Sequence, residues 1–158
     1  MEFKKILWPT DLSENAAHAL QYVTSLSEKY GSEVHLIFVV EDVHQFDHFY
    51  GDASPSFLRE FQERIIRKGK EYLEGICTNV LIGCPLYKRH IIVGEPAQGI
   101  LKCIEDEKID LVVMATHGHG EETRGKEMIH YPFGSVSEKV IRLSPVPVLA
   151  INPRTHTK

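Results

Sequence analysis

The side chains that could do chemistry gather in two short stretches of this 158-residue chain. The first is Trp8-Pro9-Thr10-Asp11-Leu12-Ser13. Pro9 fixes φ and donates no hydrogen bond, and Asp11 can either cap a following helix or accept a hydrogen bond from a ligand amine. The second stretch opens at Ala115-Thr116-His117-Gly118-His119-Gly120 and closes at Phe133-Gly134-Ser135. Glycine there lets the backbone come close to a ligand. The amides of Ser135, Val136 and Ser137 at a helix start, with the serine hydroxyls, form an anion site suited to phosphate. Arg124 and Lys126 could pair with phosphate, while Glu121, Glu122 and Glu127 weaken the local positive field.

Other chemistries find less support. His44 and His48 stand four apart around Asp47, and His117 and His119 two apart. Zinc needs three or four ligands, and no HExxH or paired CxxC supplies them, so no metal site is expected. There is no GxxxxGK[ST] phosphate loop and no GxSxG elbow. The His-x-Gly-His turn of α/β nucleotidyl transferases is replaced by Pro9-Thr10-Asp11. No catalytic residue is assigned, since no general base is placed by the sequence. Cys77, Cys84 and Cys103 are too sparse for a disulfide framework and read as free thiols in a reducing cytoplasm. Cys103, beside Ile100 and Ile104, reads as core.

These stretches need elements to hold them. Ile6–Trp8, Val34–Val40, His90–Val93, Leu111–Ala115 and Val146–Ile151 are short, β-branched runs. The second and fourth are continuously apolar, as in strands covered on both faces. Helical spacing runs from Ser13 to Tyr30, from about Pro55 to Gly75 and from Pro96 past Ile104. Ser135-Val136-Ser137-Glu138 has the form of a capping box opening a last helix to about Leu143. The order βαβαβαβαβ predicts an α/β fold: an open parallel sheet of five strands with helices on both faces and right-handed crossovers. One domain over residues 1–158 is expected. Two connections, 41–54 and 116–134, exceed the 2–6 residues usual there. Long loops after strands point to ligand binding at the carboxyl edge of the sheet.

Composition narrows the partners. With 18 basic against 22 acidic residues the net charge is −4, and 42% of residues are hydrophobic. Nothing general drives such a chain toward nucleic acid or anionic membranes. No apolar run is long enough to span a bilayer, and the N-terminus lacks a signal peptide's apolar stretch. A cytoplasmic protein is expected.

Taken together, Pro9-Thr10-Asp11-x-Ser13, the strand end at Val39, Val113-Met114-Ala115-Thr116-His117-Gly118, and Gly134-Ser135-Val136-Ser137-Glu138-Lys139-Val140 followed by Pro145-Val146-Pro147-Val148-Leu149 resemble the universal stress protein family. The resemblance covers nearly the whole chain. It implies a Rossmann-like, adenine nucleotide alpha hydrolase-like sheet and a homodimer joined through the last strand, 146–151. One branch of the family binds ATP through Gly-x2-Gly-x9-Gly-Ser/Thr. By position, that pattern implies a nucleotide site in which Pro9, Thr10, Asp11 and Val39 line the adenine and ribose. Met114 and Ala115 end the facing strand, and Gly118, Gly134, Ser135, Val136 and Ser137 grip phosphate. The cofactor would be ATP or another adenine nucleotide, with or without magnesium, in a regulatory or stress-protection protein that hydrolyses ATP slowly at most.

Two departures stand out. Ala115 replaces the pattern's first glycine, and residues 119–133 place fifteen residues where the pattern has nine. They motivate an alternative of the same fold: a protein-interaction module whose pocket is altered by Ala115 and the 119–133 insertion.

Overall fold

Side chains alternate across a strand, so a run without polar members needs cover on both sides. The computed structural model describes residues 2–43, 54–82, 86–118 and 133–153. Within them β1 (Lys5–Thr10), β2 (Glu33–Val40), β3 (Tyr87–Val93), β4 (Leu111–Ala115) and β5 (Val148–Ile151) form one parallel sheet in the order β3-β2-β1-β4-β5. Five helices accompany it: α1 (Glu14–Ala17), α2 (Leu20–Tyr30), α3 (Pro55–Asn79), α4 (Pro96–Glu107) and α5 (Ser135–Leu143). Ile6, Trp8, Leu36, Phe38, Leu111 and Val113 pack under α2 and α3. Their neighbours Leu7, Ile37, Val112 and Met114 pack under α4 and α5. The expected α/β sheet with helices on both faces is therefore the fold.

Element ends differ from the sequence reading, each for a local reason. The helix expected from Ser13 to Tyr30 breaks at His18–Ala19. There the Ala16 carbonyl accepts from the Trp8 indole, 3.3 Å, and from the Ala19 amide, 3.2 Å, which tightens the chain. α3 runs on past Gly75 to Asn79. β5 begins at Val148, two residues late, because Ser144 and Val146 close a turn on each other. The capping box at Ser135 is not formed. Gly134 is the N-cap, its carbonyl accepts from the Glu138 amide at 2.9 Å, and Ser135 is already helical.

The two glycines Gly69 and Gly99 set how closely helices lie on the sheet. A Cβ on Gly69 of α3 would fall 2.4 Å from Phe38 Cδ1, and one on Gly99 of α4 would fall 3.0 Å from Val39 Cγ2 and 2.7 Å from Ile92 Cδ1. Phe38 and Val39 are consecutive in β2 and face opposite sides. A mid-helix glycine costs roughly 0.5–1 kcal/mol against alanine, and here close packing offsets that cost.

Cys77 and Cys103 are buried thiols, with no disulfide among the described residues. Burial, then Glu107 and Asp106, pushes the Cys103 thiol up to about 11, which keeps it protonated. Cys84 lies outside the described residues. Among the described residues no helix is long and apolar enough to cross a membrane.

Gly69→Ala is expected to destabilise the fold by about 1–3 kcal/mol despite alanine's helix preference, because the methyl overpacks Phe38. In a Phe38→Leu background the same change should be neutral or stabilising. Urea denaturation of the four proteins measures this, and a Gly69→Ala protein more stable than the parent removes the packing argument.

Candidate functional site at the carboxyl edge of the sheet

β1 and β4 are held together at one end and part at the other. Asp110 Oδ2 accepts from the amides of Lys4 and Lys5, both at 2.9 Å, and the Asp110 amide donates to Lys5 O at 3.0 Å. The β1–β4 ladder then pairs Ile6 with Leu111 and Leu7 with Val112, and goes no further. On the outer sides pairing continues, to Thr10–Phe38 for β1–β2 and to Ala115–Ile151 for β4–β5. The reason lies in Pro9. Lys4 O bonds toward β2 and Lys5 O toward β4, so alternation turns the Pro9 backbone toward β4. Its missing N–H ends the ladder there. The sheet's order also reverses between β1 and β4, and at such a switch point open α/β sheets take their ligands.

The turn after β1 is held by its own side chains. Leu12 sits at φ 67°, a left-handed conformation that costs a non-glycine residue about 1–3 kcal/mol. Its amide donates to Thr10 Oγ1 at 3.0 Å, and its side chain packs on the core under α2. Asp11 Oδ1 accepts from the Ser13 amide at 3.1 Å and from the Ser13 hydroxyl. Ser13, not Asp11, caps α1, its Oγ accepting from the Ala16 amide at 3.1 Å.

The other oxygen of Asp11 meets the loop after β4. A Cβ built on Gly118 would fall 2.0 Å from Asp11 Oδ2 and 2.9 Å from its Cγ. Gly118 is therefore required by close approach. Asn15 Nδ2 donates to Gly118 O at 3.4 Å. Tyr72 of α3 stands near: burial, and then the Asp11 charge, raises its phenol above the ordinary range. Asn15 and Tyr72 were not singled out for the site from sequence. Tyr72 falls in the helical spacing from about Pro55 to Gly75, and only the packing of α3 brings it close to Asp11.

The far side of the loop returns to the same place. The Gly134 amide donates to Thr116 O at 2.7 Å, and the Ser137 hydroxyl donates to Thr116 O and Gly134 O at 2.6 and 2.9 Å. A Cβ on Gly134 would lie 3.4 Å from Thr116 O and 3.8 Å from His117 Cα. The two glycines bracketing residues 119–133 are thus anchored close together. At α5 the first-turn amides have no partner within the helix, while the Ser137 hydroxyl is already engaged. Ser135 is exposed and Val136 half-buried. His117 is buried, with Nδ1 2.8 Å from Thr116 Oγ1.

Several residues picked out in the sequence thus meet: Asp11 with Gly118, and Gly134 and Ser137 on Thr116. Thr10 stays within its own turn, on the Leu12 amide. Others face elsewhere. Val39 packs against Gly99, Met114 belongs to the core under α4 and α5, and Ala115 is buried in the β4–β5 ladder. His44, Asp47, His48, His119, Glu121, Glu122, Arg124, Lys126 and Glu127 lie outside the described residues, as does most of the 119–133 insertion.

Known proteins share this arrangement of elements. The chain is 32% identical to the universal stress protein MJ0577 of Methanocaldococcus jannaschii, over 94% of each chain. The solved structure of MJ0577 superposes with a TM-score of 0.77 at 33% identity, covering 96% of this chain and 97% of that one. A universal stress protein of Thermus aquaticus is 30% identical over 94% of this chain and 98% of its own. A universal stress protein family member from Arabidopsis thaliana, solved with AMP bound, shares the fold: TM-score 0.63 and 16% identity over 94% and 91% of the two chains. The model of the universal stress protein family itself matches residues 2–152, and this chain belongs to that family.

Proposed function

We propose that residues 1–158 work as one domain that binds an adenine nucleotide in the crevice between β1 and β4, in a regulatory or stress-protection role in the cytoplasm. The observation that carries this reading is the meeting of Asp11 with Gly118 where the β1–β4 ladder ends. An acidic side chain on a half-buried turn suits the amine edge and ribose of an adenine nucleotide. The Gly134 helix start opposite suits phosphate, through amides and the helix dipole. The AMP held by the Arabidopsis relative supports the choice of nucleotide. Bound magnesium would come with a triphosphate. Pro9, Thr10 and Asp11 would form one wall, Gly118, Gly134, Ser135 and Val136 the phosphate side, with Ser137 contributing its amide. Val39, Met114 and Ala115 would act from beneath, by shaping the strand ends.

The second reading, a protein-interaction module without nucleotide, rests on Ala115 and the long 119–133 spacing. Anchoring of both loop ends on Thr116–Gly118 favours the nucleotide reading, since extra length between fixed ends need not disturb the glycines.

Self-association through β5 is part of the proposal. β5 is an edge strand with Leu149 37% exposed, an apolar edge that invites pairing.

Calorimetric titration of nucleotide-stripped protein with ATP, ADP and AMP is the direct measurement. We expect saturable binding of at least one, weakened roughly 10–150-fold by Asp11→Ala, the loss of one hydrogen bond to a charged group. Silence with all three at millimolar concentration rejects the nucleotide reading.

Removing six residues from within 119–132 should leave nucleotide affinity within about threefold, as expected when loop length changes closure entropy only slowly. Loss of binding in a shortened but folded protein would tie the insertion to the pocket.

Sedimentation should find a dimer at micromolar concentration, and a monomer after Leu149→Lys. A monomeric parent protein contradicts association through β5.

A further inference from the structure

At the amino-terminal edge of the sheet, away from the crevice, a second cluster of ligating side chains sits under the end of α4. His35 of β2, His90 of β3 and Glu107, the last residue of α4, present ligand atoms all within 4.8 Å of one another. His35 is fully buried, and His90 and Glu107 are half-buried. We propose that His35, His90 and Glu107 bind a divalent transition-metal ion of borderline softness, zinc by ligand type, which ties edge strand β3 to β2 and α4.

Distances favour a single ion. His35 Nδ1 lies 3.1 Å from His90 Nε2 and 3.8 Å from Glu107 Oε2. Metal–ligand bonds of about 2.0–2.2 Å in a tetrahedral site set ligand atoms roughly 3.3–3.6 Å apart. Around His35 Nδ1 the His90 nitrogen opens slightly and the Glu107 oxygen closes by a few tenths of an ångström, with every ligand-atom separation within 4.8 Å. The rings are nearly parallel, 11° between planes with centroids 5.2 Å apart, and share one hydrogen along the Nδ1···Nε2 line. A metal replaces that hydrogen once the rings tilt toward Glu107. His90, on the edge strand, supplies most of the tilt.

The surroundings match a ligand set. A metal on His35 Nδ1 leaves the proton on Nε2. That buried Nε2 has no hydrogen-bond partner among the described residues, yet Glu33 Oε1 is 3.3 Å away. A carboxylate behind the second imidazole nitrogen is the usual support of a metal-bound histidine. Burial lowers both histidines from the ordinary imidazole range, His35 to about 4. Glu107 is placed by its backbone. Its carbonyl accepts from Lys5 Nζ at 2.8 Å, and Lys108 ends α4 in a left-handed cap. Three protein ligands leave the fourth position to water.

Among the described residues two ammonium groups oppose the ion: Lys5, whose charge also acts on His35, and Lys88. Lys88 Nζ, on a half-exposed side chain, lies 3.1 Å from the same Glu107 Oε2 and 3.7 Å from Glu33 Oε1. It holds the carboxylate below its ordinary range. A metal must displace this ammonium, so Lys88 sets the affinity.

Full-length protein treated with chelator and dialysed is titrated with Co2+ and, in competition, Zn2+. One equivalent of Co2+ should give the intense visible absorption of a four-coordinate ion, and Zn2+ should abolish it. His90→Asn and Glu107→Gln are each expected to weaken binding at least roughly tenfold, since loss of even outer-shell partners costs 10–100-fold. Lys88→Gln should tighten it. His35 is too deeply packed for its replacement to be informative, so the surface-reaching ligands carry the test. Zn2+ should also raise the melting temperature of the parent protein but not of Glu107→Gln. No four-coordinate Co2+ spectrum in the parent overturns the proposal, as does a spectrum that survives both His90→Asn and Glu107→Gln unchanged.

Discussion

The sheet depends on an unequal junction between β1 and β4. At one end the Asp110 carboxylate gathers the amides of Lys4 and Lys5 where β1 begins, and two paired positions follow. At the other end Pro9 offers no donor, and the strands stop pairing while both outer ladders continue. A parallel sheet normally covers its backbone groups completely, because buried unpaired amides and carbonyls cost free energy. Among the described residues the β1–β4 ladder stops short in the centre of the sheet, where chain order reverses. The features of the crevice gather there: the sharp turn at Leu12, the approach of Asp11 to Gly118, and the return of the loop to Thr116.

The turn also accounts for the residue types around it. Leu12 tolerates its left-handed backbone because Thr10 and Asp11 hold the flanking amides and the leucine side chain packs on the core. The acidic side chain is thereby fixed through one oxygen, and its other oxygen is aimed at the opposing loop. In the proposed site, preorganisation of this kind would lower the ordering cost of binding.

Much of the architecture was legible from residue order. Continuous apolar runs such as Leu111–Ala115 identified strands covered on both faces. Boundaries were less so. The break at His18–Ala19 arises from the Trp8 indole reaching across to a helix carbonyl, and the start of α5 at Gly134 depends on where Thr116 lies. Such contacts join residues distant in sequence and leave no local signature. For the site, the glycines and Asp11 were readable as a motif. The roles of Asn15 and Tyr72 were not, because the packing of α1 and α3 creates them. Val39 shows the converse: a motif position whose side chain turns out to rest on Gly99. His35 and His90 read simply as strand residues, since the third ligand atom comes from the far end of a helix.

Gly69 and Gly99 press α3 and α4 onto consecutive residues of β2 from opposite sides, with no slack at either contact. Close-packed interiors resist small sliding and transmit strain. The half of the molecule built on β2 is therefore pinned on both faces. β4 runs from the crevice at Thr116 alongside the edge strand β5, through the ladder that pairs Val112–Ala115 with Val148–Ile151.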